Sequence, residues 1–232
     1  MYVAKAKISV CMGTKNEEEA IRKVILDFRN VLGKDVEFVV TDSSTDRTAE
    51  IAEDLGATVI RQPPQGYGTA LRSSLLAATG DIIVTTDCDD TYPVDAVPGM
   101  IKQIEEGYDL VSGSRLLGKR RVPAMPLFNE FGNRIFSLLT GFLYGFRCTD
   151  ATTGLRVFRC DVIRSIEWTE NTGLSLELMF KPAALGYKVI EVPIDYKVRV
   201  GTVKLNPIKG GFEMLKTLLK YKLRSIKRKS YE

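Results

Sequence analysis

With 232 residues, 44% hydrophobic and 27% charged, including nine prolines, the chain is long enough for one buried core. This composition excludes a disordered chain, a collagen-like repeat and a disulfide scaffold. Lys plus Arg number 33 against 29 for Asp plus Glu, a formal charge of +4 that is too small to imply nucleic-acid binding. There is no histidine, which excludes a His-ligated zinc site, a Ser-His-Asp triad and a Cys-His pair.

Along the chain, an apolar run at Ile8 to Met12 precedes a helical pattern from Glu17 to Val31, with Ile21, Val24, Ile25 and Phe28 at the apolar positions. The same order recurs as strand Val36 to Val40 and helix Thr45 to Leu55, then strand Thr58 to Ile60 and helix Tyr67 to Ala78, then strand Ile82 to Thr86. Repeated β-α-β units predict a parallel sheet with helices on both faces and ligands at the carboxyl ends of the strands. A helix near Val94 to Glu105, a strand at Leu110 to Ser112 and a loop rich in Lys, Arg and Pro from Gly118 to Pro126 follow. A largely apolar helix is expected from Leu127 to Tyr144, then two or three short strands between Thr149 and Val200 with a helix near Leu174 to Leu185. Met1 to Met12 shows no secretory signal, and the apolar stretch Ile135 to Phe146 is shorter than the roughly 20 residues a membrane span needs. Cys11, Cys88, Cys148 and Cys160 contain no C-x-x-C pair and fit reduced thiols in a cytoplasmic setting.

The sharpest chemical signal is Asp87-Cys88-Asp89-Asp90, directly after the Ile82 strand. Carboxylates one residue apart at a strand end both reach a divalent cation, Mg²⁺ or Mn²⁺, and leave positions open for phosphate. The alternative is a solvated acidic turn with Asp90 capping the next helix. Thr14-Lys15-Asn16-Glu17, Asp42-Ser43-Ser44-Thr45-Asp46 and Gln65-Gly66-Tyr67-Gly68 end three other strands and converge on the same edge. Glu17 and Asp46 equally suit the first turn of a helix, and Ser44 or Thr45 an N-cap.

These segments, with Gly80-Asp81, Gly113-Ser114-Arg115, Gly132-Asn133, Asp150-x-x-Thr153-Gly154-x-Arg156 and Arg199-x-Gly201 with Lys204-Leu205, run in a familiar order. From about Ile8 to Leu205 the chain resembles the inverting family 2 glycosyltransferases, and within them the polyprenyl-phosphate hexosyltransferases of the dolichol-phosphate mannose synthase type. The resemblance implies an α/β glycosyltransferase-A fold, with a Rossmann-like, mostly parallel central sheet. Residues 1–205 would form the catalytic domain, with 1–112 as the nucleotide-sugar half and 113–205 as the acceptor half. It implies that Gly13, Lys15, Glu17, Asp42, Asp87 and Cys88 line the nucleotide, and that Asp87, Asp89 and Thr91 hold the metal. Asp89, Arg115 and Arg199 would be catalytic, and Arg115, Arg134, Arg199 and Lys204 would face the acceptor phosphate. Gly13 and Lys15 stand where the family has proline and tyrosine, Thr41 replaces the first acid of an Asp-Asp pair, and Thr91 replaces a glutamine. Arg134 and Arg156 equally suit pairing with nearby carboxylates, and Glu177 a core salt bridge.

The reaction so implied is transfer of a hexose, mannose from GDP-mannose in the first instance, to dolichyl or another polyprenyl phosphate. A UDP-sugar such as UDP-glucose, or a saccharide acceptor, is the alternative. A phosphate monoester has a second pKa of about 6 and is already an anionic nucleophile, so it suits a chain without histidine. A lipid acceptor calls for contact with the bilayer. Leu127 to Tyr144 presents Leu127, Phe128, Phe131, Ile135, Leu138, Leu139, Phe142 and Leu143, which is membrane-facing or core-packed. Residues 206–232 carry Phe212, Leu215, Leu218, Leu219, Leu223 and Ile226 at helical spacing among lysines and arginines. Peripheral attachment to the cytoplasmic membrane face is expected; docking on its own domain or on a separate membrane protein is the alternative. A sugar nucleotidyltransferase would need a glycine-rich loop with arginine, which Gly13 to Asn16 do not supply, and a non-catalytic binding module would not need both Asp87 and Asp89.

Overall fold

The computed structural model describes residues 6–119, 124–201 and 207–229. In order they form β1 (Ile8–Thr14), α1 (Ile21–Leu32), β2 (Glu37–Asp42), α2 (Thr48–Asp54), β3 (Thr58–Arg61), α3 (Tyr67–Ala77) and β4 (Ile82–Thr85). A 3-10 turn (Val94–Ala96) runs into α4 (Val97–Glu105), followed by β5 (Leu110–Ser114), α5 (Leu127–Tyr144), β6 (Arg156–Arg159), α6 (Cys160–Ser165), α7 (Leu174–Ala184), β7 (Val189–Pro193) and α8 (Pro207–Lys229).

The seven strands make one sheet in the order β3-β2-β1-β4-β6-β5-β7. Alternating side chains of β1 feed two cores. Val10 and Met12 pack with α1, α2 and α4 on one face, whereas Cys11 joins Leu71, Leu75, Leu178 and Leu218 on the other. Burial on both faces explains why the strands read as unbroken apolar runs.

Every pairing is parallel except those of β6, which is antiparallel to both β4 and β5. The sheet is thus mostly parallel, as expected, with β6 as its reversed strand. After β5 the chain passes through α5 and re-enters the sheet at the carboxyl end of β4, with Arg156 opposite Thr85. The reversal delivers the Asp150-to-Gly154 segment to the same edge as Asp87.

Two helix starts also move. The helix expected from Glu17 begins at Ile21, because the Glu17 carbonyl accepts the Ala20 and Ile21 amides in a preceding turn. The helix expected from Thr45 begins at Thr48, whose amide and hydroxyl both donate to the Asp46 carboxylate.

α5 follows its expected limits but is inverted for a globular helix. Only Ser137 and Thr140 are buried, while Leu127, Phe128, Phe131, Leu138 and Phe142 are 64–84% exposed. Its inner face combines the Ala151 amide donating to Ser137 Oγ at 3.0 Å with Phe136, Leu139, Leu143 and Tyr144 half-buried against the core. α8 docks on α5 and α7. Its Leu218 is fully buried, its Leu218 carbonyl accepts the Tyr144 hydroxyl at 2.9 Å, and Tyr221 packs against Phe180, which stacks on Tyr144 at 4.4 Å. Its own domain therefore takes one side of α8, while Phe212 and Leu223 remain more than 60% exposed. No helix among the described residues is long and apolar enough to cross a membrane.

Candidate active site at the carboxyl edge of the sheet

Four strand ends and one returning loop meet where β1, β2 and β4 terminate. β1 and β2 end in register, Thr14 opposite Asp42, and the Thr14 hydroxyl donates to Asp42 at 2.7 Å. The Ser44 hydroxyl and amide add two more bonds to that carboxylate at 2.6 and 2.9 Å, so Asp42 is buried and held by three local donors. Asn16, with a φ of 52°, bridges the two loops: its side-chain oxygen accepts the Thr45 amide at 2.8 Å, and its own amide donates to Ser44 Oγ at 2.7 Å. Lys15 is exposed on this rim. Gly13 has a steric reason. A Cβ there would lie 3.0 Å from Ala70 Cβ and 3.1 Å from the Leu71 nitrogen, so the glycine lets α3 cross the end of β1.

β4 leads directly into the carboxylates. Asp87 accepts the Tyr67 hydroxyl at 2.9 Å, and its other oxygen faces Gly154, where a Cβ would stand 2.7 Å away. Burial, and then the neighbouring Asp89 carboxylate, push Asp87 up to about 6. Asp89 is buried; one of its oxygens accepts the Thr91 amide and hydroxyl at 3.2 and 2.6 Å, and the other meets Arg199 Nη1 at 3.1 Å. Thr91 thus directs its hydroxyl proton at Asp89. Cys88 turns into the apolar core beneath.

Arg199 joins the two ends of the site. Its other terminal nitrogen pairs with Glu17 at 2.9 Å, and its Nε is buried without a partner among the described residues. Backbone bonds fasten its loop beside the carboxylates, from the Lys197 amide to the Thr91 carbonyl and from the Val200 amide to the Asp89 carbonyl. Lys204 lies outside the described residues.

The other arginines differ. Arg115 forks onto Asp150 at 2.7 and 2.8 Å, its amide adds a bond to the same carboxylate at 3.0 Å, and its guanidinium covers the Tyr196 ring at 5.3 Å. Burial disfavours the Asp150 carboxylate, but the Arg115 charge together with the hydrogen bonds from its guanidinium and amide holds Asp150 below the usual range. Arg134 is solvated on α5 and pairs with Glu130 at 3.0 Å. Arg156 is fully buried and donates to the carbonyls of Ala151 and Ser175 rather than to a carboxylate. Glu177 is the core salt bridge, held by Lys181 at 2.5 Å and by the Tyr221 hydroxyl.

The residues suit a divalent cation. Two carboxylates stand together here, Asp89 buried and Asp87 partly buried; burial first and their mutual repulsion second raise Asp87, and a cation relieves both costs. Among the described residues no group of three or more His, Cys, Asp and Glu side chains forms a closed metal cage. An ion here would draw its remaining oxygens from a bound diphosphate and water, the open coordination that Mg²⁺ and Mn²⁺ favour.

Two contributors were not singled out from sequence. Tyr67 lies between two glycines and supplies the hydroxyl on Asp87. Asn171 reaches across to accept the Gly68 and Thr69 amides at 3.0 and 3.3 Å. Gly66-x-Gly68 was the one available signal, because paired glycines announce a close approach without naming what approaches.

Comparison with known proteins gives the chemistry a family. The glycosyl transferase family 2 model matches residues 9–167. A dolichyl-phosphate hexose transferase of Haloferax volcanii is 46% identical over 213 residues, covering 92% of this chain and 92% of that protein. A low-salt glycan biosynthesis hexosyltransferase of the same organism is 33% identical over 222 residues; the match takes in 91% of this chain and 53% of that protein, so this chain spans about half its length. Among solved structures, Mycobacterium tuberculosis glucosyl-3-phosphoglycerate synthase in complex with Mn²⁺, UDP-glucose and phosphoglyceric acid superposes with a TM-score of 0.73 at 25% identity, covering 94% of this chain and 80% of that one. A family match that takes in β1 to β6, joined to close identity along almost the whole chain, makes this protein a glycosyltransferase of family 2 with the glycosyltransferase-A fold.

Proposed function

We propose that this enzyme transfers a hexose, with inversion, from a nucleoside diphosphate sugar to a polyprenyl phosphate of the dolichyl type at a membrane surface. The observation that carries the lipid acceptor is the inverted α5, whose Leu127, Phe128, Phe131, Leu138 and Phe142 face outward beside the acceptor half. The 46% identical dolichyl-phosphate hexose transferase supports the same acceptor class. GDP-mannose is the first donor to test; UDP-glucose is favoured by the solved structure that holds it.

In this reading Glu17 and Asp42 set the nucleotide end of the crevice and Asp87 with Asp89 hold the cation. The cation supplies positive charge against the donor diphosphate. Arg199, with one arm on Glu17 and one on Asp89, is positioned to turn its guanidinium to phosphate oxygens, a geometry that the planar fork matches. A dianionic acceptor phosphate needs no general base. Its oxygen forms the bond to the anomeric carbon as the bond from that carbon to the diphosphate breaks, and the electron pair leaves with the nucleoside diphosphate. The protein's work is alignment and stabilisation of that leaving charge.

The test offers GDP- and UDP-sugars with a short polyprenyl phosphate in vesicles and Mn²⁺, and follows glycolipid for the wild type and Asp89→Ala. A glycolipid from one donor, lost in Asp89→Ala, is expected. Glycosylation of a free saccharide with no glycolipid from any donor would overturn the lipid acceptor.

A further inference from the structure

The N-terminus of α3 is built around Tyr67. The chain reaches it through Gly66, at a φ of 104°, and Tyr67 then sends its hydroxyl to Asp87 Oδ1 at 2.9 Å. What fixes the turn comes from the segment before α7. Asn171 accepts the Gly68 and Thr69 amides, two groups that the first turn of a helix leaves without intrahelical partners. Its amide nitrogen donates to the Gln65 carbonyl at 2.6 Å. Asn171 therefore clamps α3 on both sides of Tyr67.

The fit leaves no room for a side chain. A Cβ on Gly66 would stand 2.5 Å from Asn171 Nδ2, and one on Gly68 would stand 2.1 Å from the Asn171 carbonyl oxygen. Both glycines are thus explained by the approach of Asn171. The residue between them carries the one hydroxyl that reaches Asp87 from α3.

We infer that Tyr67 is a positioning residue for the cation-binding carboxylate Asp87, and that Asn171 holds Tyr67 in place. This rests on the reading that Asp87 and Asp89 hold the cation. A phenol at neutral pH donates its proton, so it satisfies one lone pair on Oδ1 and fixes the carboxylate plane, with the other oxygen held against Gly154. Hydrogen bonds of this kind orient metal-binding carboxylates, and their loss typically weakens metal binding about tenfold or more.

The experiment titrates Mn²⁺ into the full-length protein saturated with GDP, and in parallel with UDP, and reads free Mn²⁺ by electron paramagnetic resonance. Wild type, Tyr67→Phe, Asn171→Ala and Asp87→Ala are compared, each with its thermal melting midpoint. Tyr67→Phe keeps the ring; it is expected to weaken Mn²⁺ binding about tenfold with an unchanged midpoint, and kcat is expected to recover at saturating Mn²⁺. Asn171→Ala is expected to weaken Mn²⁺ binding in the same direction and by less than Tyr67→Phe, since it acts on Asp87 only through Tyr67. Tyr67→Phe within twofold of wild type, with binding lost in Asp87→Ala, would overturn the inference and leave the cation site standing. Intact binding in Asp87→Ala would overturn the cation site and the inference together.

Discussion

Replacing Asp87 with asparagine should make the protein more stable while disabling it. The carboxyl rises from the ordinary 3.8 to about 6 because burial, and then the charge on Asp89, oppose its ionisation. A displacement of that size corresponds to about 3 kcal/mol of strain carried by the ionised form. An amide is itself poorly accommodated beside Tyr67 and Gly154, so a gain of about 1–3 kcal/mol is expected for Asp87→Asn at pH 7.5. For a chain of this length that is a rise of about 2–12 °C in melting midpoint. The pH dependence has a definite sign. The folded pKa lies above the unfolded one, so the native state holds the proton more tightly, and the penalty is complete only above about pH 6. As pH falls from 6 towards 3.8 the wild-type carboxyl becomes neutral in the fold, and the advantage of asparagine should close. Mn²⁺ with a nucleoside diphosphate should reverse the order at pH 7.5, since a ligand stabilises only the variant that binds it. Calorimetric scans of both proteins at pH 7.5 and pH 4.5, with and without Mn²⁺ and nucleotide, test each part. An asparagine variant no more stable than wild type at pH 7.5, or a gap that persists unchanged at pH 4.5, would refute the reasoning.

The buried Arg115–Asp150 fork should behave as a structural pair: Arg115→Ala is expected to destabilise the fold by about 3–5 kcal/mol in urea unfolding by stranding Asp150, and the Arg115→Ala/Asp150→Ala double variant to recover part of that loss. On α5, Phe128→Ser with Phe142→Ser should leave the melting midpoint unchanged, because both rings are at least 65% exposed. The same variant should reduce co-sedimentation with phosphatidylglycerol vesicles several-fold, and equal sedimentation would remove α5 as the membrane contact.

Much of the sheet was legible because its strands are short apolar runs separated by helices of clear period, a pattern that burial on both faces imposes. β6 was not. Arg156–Arg159 reads as a strand in either direction, and only the route of the chain through α5 decides that it enters against Thr85 and runs antiparallel. The starts of α1 and α2 were misjudged for a related reason. Glu17 and Asp46 carry good first-turn chemistry, yet each is used in the turn before its helix, where Glu17 accepts through its carbonyl and Asp46 through its carboxylate. α5 was readable as an apolar helix, but an apolar stretch on every side does not say which face the fold covers. Ser137 and Thr140, with Phe136, Leu139, Leu143 and Tyr144 packed on the core, make the inner face, and that leaves Phe128, Phe131 and Phe142 outside.

In the site, legibility followed distance along the chain. Asp87 and Asp89 are neighbours on one strand end, so their cooperation can be read from the spacing alone. Arg199 could be named only through resemblance, and its double engagement of Glu17 and Asp89 depends on backbone bonds that fasten its loop to Thr91 and Asp89. Asn171 had no local signature at all. An asparagine before a helix reads as a cap for that helix, whereas this one caps α3, about a hundred residues earlier in the chain. The glycines that admit it are visible in the sequence, but a glycine records only that something comes close, not what. The lesson is specific to edges of this kind: strand ends declare which groups do chemistry, and the groups that aim them arrive from whichever loop the topology folds back over the edge.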